Sequence, residues 1–250
     1  MKNPKSILIT GASSGIGEAL ALEYADTDVI LHLSGRNKER LSKVSSLCTA
    51  KGATVYDKII DVTDEAEMHQ WIDNLGPLDL VIANAGMGKS LKYHYELGRH
   101  TKEIFDVNVG GVFNTVHPAI EKMKERNKGQ IALISSMAGY RGMPSAPIYS
   151  TSKVTVKAYG EALRGFYYNH GIEINVICPG FVRSRITDKN KFPMPFFMEG
   201  PKAAKIIRNG LEKNKGLIAF PWQIRLALGG VVRILPEFIL ERILRRLPNK

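Results

Sequence analysis

Cysteine is almost absent from this chain. Cys48 and Cys178 are the only two among 250 residues, and their wide separation excludes a disulfide framework and any closely spaced thiolate metal site. No metal site is expected. The pair fits a reducing compartment, so the cytoplasm is the expected location. No apolar run is long enough to cross a bilayer. Met1-Lys2-Asn3-Pro4-Lys5 leads straight into an apolar strand, with no signal-peptide pattern. Acidic residues are scarce beside basic ones, 24 against 35, which gives a formal net charge of +11. That imbalance suits an anionic ligand, an acidic partner or an anionic surface. Nucleic-acid-binding motifs are lacking, so no nucleic acid partner is expected. The rest is ordinary: 44% hydrophobic and 24% charged residues, enough for one large α/β domain with a substantial core.

Near the start, the short apolar run Ile7–Ile9 runs into Thr10-Gly11-Ala12-Ser13-Ser14-Gly15-Ile16-Gly17 and then into residues of helical composition. A strand, a glycine-rich turn and a helix start together make an anion cradle, because the first helical N–H groups lack intrahelical partners and carry partial positive charge. Gly11 allows the sharp turn, Gly15 lets backbone approach a phosphate, and Gly17 lets the helix pack against the strand. The spacing is G-x-x-x-G-x-G rather than the commoner G-x-G-x-x-G. Taken alone, the turn could equally be a tight connection with no ligand.

Downstream, apolar strands at 29–33, 53–60 and 78–83 alternate with helical stretches at 37–51 and 64–75. Such alternation, without hairpin signals, argues for a doubly wound parallel sheet with helices on both faces. Ligands in such sheets sit beyond the carboxyl ends of the strands. An NAD site places an acid at the end of the second strand to hold the ribose hydroxyls. Here that place holds Ser34-Gly35-Arg36-Asn37. A guanidinium can pair with a 2′-phosphate that a carboxylate would repel, so NADP(H) is favoured over NAD(H). Asp61-Val62 closes the third strand, where Asp61 could accept from an adenine amine or cap the next helix. Asn84-Ala85-Gly86 closes the fourth, as a backbone floor under a cofactor or as plain turn residues.

A long helix is expected over 103–126, with Asn108 and Gly110-Gly111 marking a local kink or a water-binding gap. A fifth strand, 130–136, ends in Ser135-Ser136. Tyr149 and Lys153 follow, four residues apart, which on a helix places them on one face with Cβ atoms about 5–6 Å apart. An ammonium there favours the tyrosinate and would draw the phenol below its ordinary value, so that it can exchange protons near neutral pH. In isolation such a pair is common on protein surfaces.

Together, the glycine turn 10–17, Asn84-Ala85-Gly86, Asn108, Ser136, Tyr149-x-x-x-Lys153 and Pro179-Gly180 resemble the short-chain dehydrogenases/reductases in order and interval. The resemblance runs from about Lys5 to Phe220. It implies one Rossmann-like domain of about seven strands, with a cofactor half at 1–135, a substrate half at 136–220 and an extension at 221–250. It also implies that Tyr149 is the general acid or base, that Ser136 holds the substrate oxygen, and that Lys153 lowers the tyrosine and binds the nicotinamide ribose. Asn108 would hold a proton-relaying water. Gly11, Ser13, Ser14, Gly15, Ile16, Gly17, Arg36, Asn37, Asp61, Val62, Asn84, Ala85, Gly86, Pro179, Gly180, Val182 and Ser184 would line the dinucleotide, together with Tyr149 and Lys153. Many NADP-using members carry a second basic residue within the glycine turn; here that stretch is Ala12-Ser13-Ser14.

A sixth strand at 172–178, a helix at 202–213 and a seventh strand at 217–220 complete the pattern. Between them, the segment 189–199 holds Phe192, Met194, Phe196, Phe197 and Met198 around two prolines. It corresponds to the family's substrate lid, or else to a loop with buried anchors. With Tyr140, Met143 and Phe181 it points to an apolar carbonyl or alcohol substrate. The extension carries six basic residues (Arg225, Arg233, Arg242, Arg245, Arg246, Lys250) against Glu237 and Glu241, a net of +4. From Pro236, a last helix would align Ile239, Leu240, Ile243, Leu244 and Leu247 on one face. Such a helix can lie on an anionic membrane surface or pack within the protein or its oligomer. The expected activity is NADP(H)-dependent interconversion of a carbonyl and an alcohol, in a homo-oligomer (dimer or tetramer). The alternatives are a 3-oxoacyl-carrier-protein reductase and a non-catalytic NADPH-binding sensor or scaffold.

Overall fold

Seven strands form one sheet: β1 (Ser6–Ile9), β2 (Ile30–Gly35), β3 (Thr54–Ile59), β4 (Leu80–Ala83), β5 (Gly129–Ile134), β6 (Ile172–Pro179) and β7 (Leu217–Phe220). Their order in this computed structural model is β3-β2-β1-β4-β5-β6-β7, and every pairing is parallel. The structure describes residues 1–88, 97–190, 192–231 and 235–244. The helices are α1 (Gly15–Tyr24), α2 (Lys38–Thr49), α3 (Glu65–Asp73), α4 (Leu97–Phe105), α5 (Gly111–Glu125), α6 (Pro147–Phe166), α7 (Gly200–Glu212), α8 (Trp222–Leu226) and α9 (Glu237–Leu244).

In the middle of the sheet, Ile7–Ile9 of β1 and all of β4 read as continuous apolar runs because helices cover both faces there. Ile7, Ile9, Leu31, Leu33 and Ile82 pack on one side with Leu20, Leu41 and Ile207 from α1, α2 and α7. Leu8, Val81, Ile131 and Leu133 point the other way, onto Met68, Val116 and Val156 from α3, α5 and α6. At the sheet edge, β3 is largely exposed and carries Asp57 and Lys58, which discourage edge-to-edge pairing. The doubly wound parallel sheet read from the sequence is the observed fold. Its strand order reverses between β1 and β4, and there the carboxyl ends of the strands open a crevice.

Three boundaries differ from the sequence reading. The expected helix over 103–126 is α4, a five-residue π turn (Asp106–Gly110) and α5. Asn108 is the cause: its fully buried amide reaches sideways to the Met87 backbone and to Ser152 on α6, and the helix widens around it. The expected kink is therefore a π interruption. Next, β5 ends at Ile134 rather than running on to Ser136, and α6, from Pro147 to Phe166, carries Tyr149 and Lys153 in its first turns. Finally, the extension holds α8 and a π turn (Ala227–Val231) where the sequence suggested no element. Pro236 stands one residue before the last helix rather than at its first position, its carbonyl accepting from the Ile239 and Leu240 amides. Arg233 and residues 245–250 lie outside the described residues.

One close approach fixes the site. A Cβ on Gly17 would sit on the Gly11 carbonyl oxygen and against the Asn84 side chain, neither of which is a loose chain end. Gly17→Ala is expected to cost about 3 kcal/mol and lower Tm by roughly 6–12 °C, with loss of nucleotide affinity, in thermal melts. An unchanged melting point would show that α1 can shift without harm.

Candidate active site

At the β1/β4 crevice lies a cleft of about 380 Å³. Of the residues expected at the site, Gly11, Ser13, Ser14, Gly15, Ile16, Arg36, Asn37, Asp61, Val62, Asn84, Ala85, Gly86, Ser136, Tyr149, Lys153, Pro179, Gly180, Val182 and Ser184 line it. Two do not. Gly17 lies beneath the turn, where its lack of a side chain admits the Gly11 carbonyl. Asn108 stands behind the wall, with both Nδ2 hydrogens donated to Met87 O and Ser152 Oγ, each 3.0 Å away. Its Oδ1 accepts from the Met87 amide at 2.8 Å, which leaves one lone pair without a partner among the described residues.

The β1–α1 turn is held open for an anion. Gly11 and Gly15 have φ of 66° and 62°, a region that favours glycine. Asn84 staples the turn to β4 by donating to the Thr10 and Gly11 carbonyls at 2.9 and 3.1 Å. Its side chain therefore positions the turn, while the backbone of 84–86 faces the cleft. Asn37 and Asp64 cap α2 and α3 through their side chains, but Ser14 makes no such bond at the start of α1. The first N–H groups of α1 are thus left for a ligand.

At one end of the cleft, Arg36 pairs with Asp61 at 3.2 Å, with both side chains substantially exposed. Asp61 also accepts from the Thr63 amide and hydroxyl. Those bonds and the Arg36 guanidinium outweigh burial and hold its carboxyl below the ordinary range. Beside them are two groups that the sequence reading missed. Ser34 Oγ and Arg40 Nε are buried without a hydrogen-bond partner, and both residues line the cleft. Arg40 follows Arg36 by four residues, but only the packing of α2 against β2 brings it to the same opening.

At the opposite end, the Tyr149 phenol shares a hydrogen bond with Ser136, whose hydroxyl also accepts from the Ala138 amide at 3.1 Å. Lys153 Nζ lies 5.9 Å from the Tyr149 ring centroid and donates to the Ile134 carbonyl at 2.9 Å. The expected lowering of the phenol is not met in this state. Burial raises Tyr149 above its ordinary value, and the Ser136 bond only partly offsets it. Lys153 itself is drawn down to about 8 by burial, which weakens the positive field it can supply.

Linkage gives that lysine a stability signature. Below pH 8 both folded and unfolded chains hold its proton, and the folded chain carries the desolvation cost. Between about 8 and the ordinary 10.5 only the unfolded chain holds it, so this group's contribution to stability rises with pH across that window. Lys153→Met should therefore stabilise the chain by about 2 kcal/mol at neutral pH, after allowance for the lost Ile134 bond, and the gain should fade above pH 10. Urea melts across that range check it; destabilisation at neutral pH would contradict the sign.

The expected apolar wall is only partly in place. Tyr140, Met143, Phe181 and the aromatic residues of 189–199 do not line the cleft, whose apolar lining includes Met87, Val107, Ile134, Val182 and Ile186. Tyr140 turns away because Lys157 lies 5.3 Å over its ring and Ile224 and Leu228 pack beside it. Phe192 packs edge-on against Phe181 at 5.9 Å, and Phe197 lies under the Arg183 guanidinium, itself held by Glu199 at 2.7 and 2.9 Å. Val182 and Met198 bridge the two ends of this loop. Lys191 lies outside the described residues. Cys48 and Cys178 are free and buried, with the Cys178 thiol pushed up to about 11 by burial.

Fold and cleft together define a nucleotide-binding enzyme of the doubly wound type. The family model for short chain dehydrogenases matches residues 5–193, and the chain belongs to that family of oxidoreductases. It is 34% identical over 247 residues to an uncharacterized oxidoreductase of Myxococcus xanthus, covering 97% of each chain. It is 27% identical to 17-beta-hydroxysteroid dehydrogenase 13 of Rattus norvegicus, covering 96% of this chain and 81% of that one. Among solved structures, a short-chain dehydrogenase from Sphingobium yanoikuyae in complex with NADPH superposes with a TM-score of 0.82 at 21% identity, covering 97% and 96% of the two chains.

Proposed function

We propose that this oxidoreductase uses NADP(H) to interconvert an apolar carbonyl compound and its alcohol, with Tyr149 exchanging the proton. The observation that carries the reading is the shared hydrogen bond of Ser136 and Tyr149 above the buried Lys153, all three opening into one cleft. The dinucleotide fits this chain: the glycine cradle admits backbone-to-phosphate contact, the start of α1 is uncapped, and Ser34 Oγ and Arg40 Nε lack partners. Gly11, Gly15 and Ile16 would hold the pyrophosphate, Arg36 and Arg40 the 2′-phosphate, and Lys153 the nicotinamide ribose. When bound, the cofactor supplies or accepts hydride.

The chain's own groups do the rest. Ser136 orients the substrate oxygen. Tyr149, protonated at neutral pH, gives its proton to that oxygen in reduction and takes it back in oxidation. Lys153 Nζ, close behind the tyrosine ring, would resupply that proton and be recharged from solvent through a water held on the remaining lone pair of Asn108 Oδ1. Met87, Val107 and Ile186 keep the cleft wall apolar.

Purified protein should oxidise NADPH with bulky apolar ketones and show little turnover with sugars or charged keto acids. Activity confined to a 3-oxoacyl thioester would move the assignment to a carrier-protein reductase. Tight NADPH binding with no turnover on any carbonyl would make the protein a sensor.

A further inference from the structure

Past Phe220 the described residues are anchored on one side and bare on the other. Ile224 and Leu228 pack with Met137, Tyr140 and Cys178. A Cβ on Gly229 would stand 2.9 Å from the Tyr140 ring. The inner face of α8 and its π turn thus rests on the short helix that begins just after Ser136. The outer face leaves Trp222 69% and Leu226 60% exposed, with exposed Arg225 between them. In α9 only one side is seated: Leu240 is 1% exposed, whereas Phe238 is 73% exposed. Of the residues expected on its apolar face, Ile239 is also partly bare, and Leu247 lies outside the described residues. Arg225 and Arg242 have no ion-pair partner among the described residues.

We propose that the extension, through Trp222, Leu226 and Phe238 with Arg225 and Arg242, docks this protein on an anionic lipid surface. Bare aromatic and aliphatic side chains flanked by unpaired cations match the boundary between headgroups and acyl chains. A second copy fits less well, because each chain carries a formal charge of +11 and would set arginine against arginine. The packing on Met137 and Tyr140 places α8 beside the turn that carries Ser136, so docking would occur on a flank of the active site.

Flotation of the full chain with phosphatidylcholine vesicles and with mixed phosphatidylcholine/phosphatidylglycerol vesicles tests this, with Trp fluorescence and solution mass measured alongside. The wild type should float with the anionic vesicles only, with a blue shift in emission. Trp222→Ser/Leu226→Ser should lower partitioning about tenfold or more, and Phe238→Ser about fivefold. Arg225→Gln/Arg242→Gln should lower it about tenfold. NADPH affinity should stay unchanged in each variant, which shows that the fold is intact. No flotation, or flotation insensitive to these variants, overturns the proposal. So does a wild-type oligomer that Trp222→Ser/Leu226→Ser dissociates without any vesicle binding, which would assign the face to a second copy.

Discussion

Tyr149→Phe is expected to lower kcat by about a thousandfold while leaving NADPH affinity within about threefold of the wild type. Phenylalanine keeps the ring that packs over Lys153 Nζ and removes only the hydroxyl bonded to Ser136. The loss should therefore fall on turnover rather than on binding. Because burial raises the phenol, the wild-type reduction rate should stay flat through neutral pH and decline only on the alkaline side. Oxidation of the alcohol should instead climb with pH. A variant with near-normal kcat would mean that another group moves the proton. A variant that loses NADPH binding as well would make Tyr149 a structural residue of the cleft.

The second large effect concerns the choice of dinucleotide. Arg36→Ala/Arg40→Ala should raise the Kd for NADPH about a hundredfold and change the Kd for NADH by less than about threefold. Arg36 is held by Asp61 in the free chain, but an ion pair this exposed is worth about 1 kcal/mol or less and yields readily to a phosphate. Arg40 has more to gain, since its Nε is buried without a partner. Gly35 sets the geometry: a Cβ there would press on Ser13 at 3.2 Å, so no carboxylate stands at the strand end to hold ribose hydroxyls. Asp61→Asn should tighten NADPH by freeing Arg36. Equal losses for NADPH and NADH in the double variant would show that these cations serve the pyrophosphate or the fold, and the preference for the phosphorylated cofactor would be withdrawn.

How far the sequence carries the reader depends on the range of the interaction concerned. Ile7–Ile9 and Leu80–Ala83 were legible because burial on both faces writes an unbroken apolar run, and Ile172–Cys178 because Glu173 and Asn175 alternate with apolar residues before Val176-Ile177-Cys178. Tyr149 and Lys153 were legible because their contact is helical and local. Arg40 was missed because a helical arginine looks like a solvated charge until α2 closes on β2. The partners of Asn108 lie at Met87 and Ser152, which no local pattern connects. The orientation of Tyr140 depends on Gly229, some ninety residues away, and on a short helix that its own sequence does not announce. The pull of Lys153 on the phenol was inferred from spacing, whereas its strength depends on burial of both groups, which spacing does not encode.

The most direct measurement follows a labelled hydride. NADPH deuterated at the transferring position is incubated with the enzyme and a bulky apolar ketone, and the product is analysed by mass. The account predicts an alcohol that carries one deuterium on its carbinol carbon, formed by the wild type and almost undetectable with Tyr149→Phe. Bound NADPH that never passes deuterium to any carbonyl compound would contradict it.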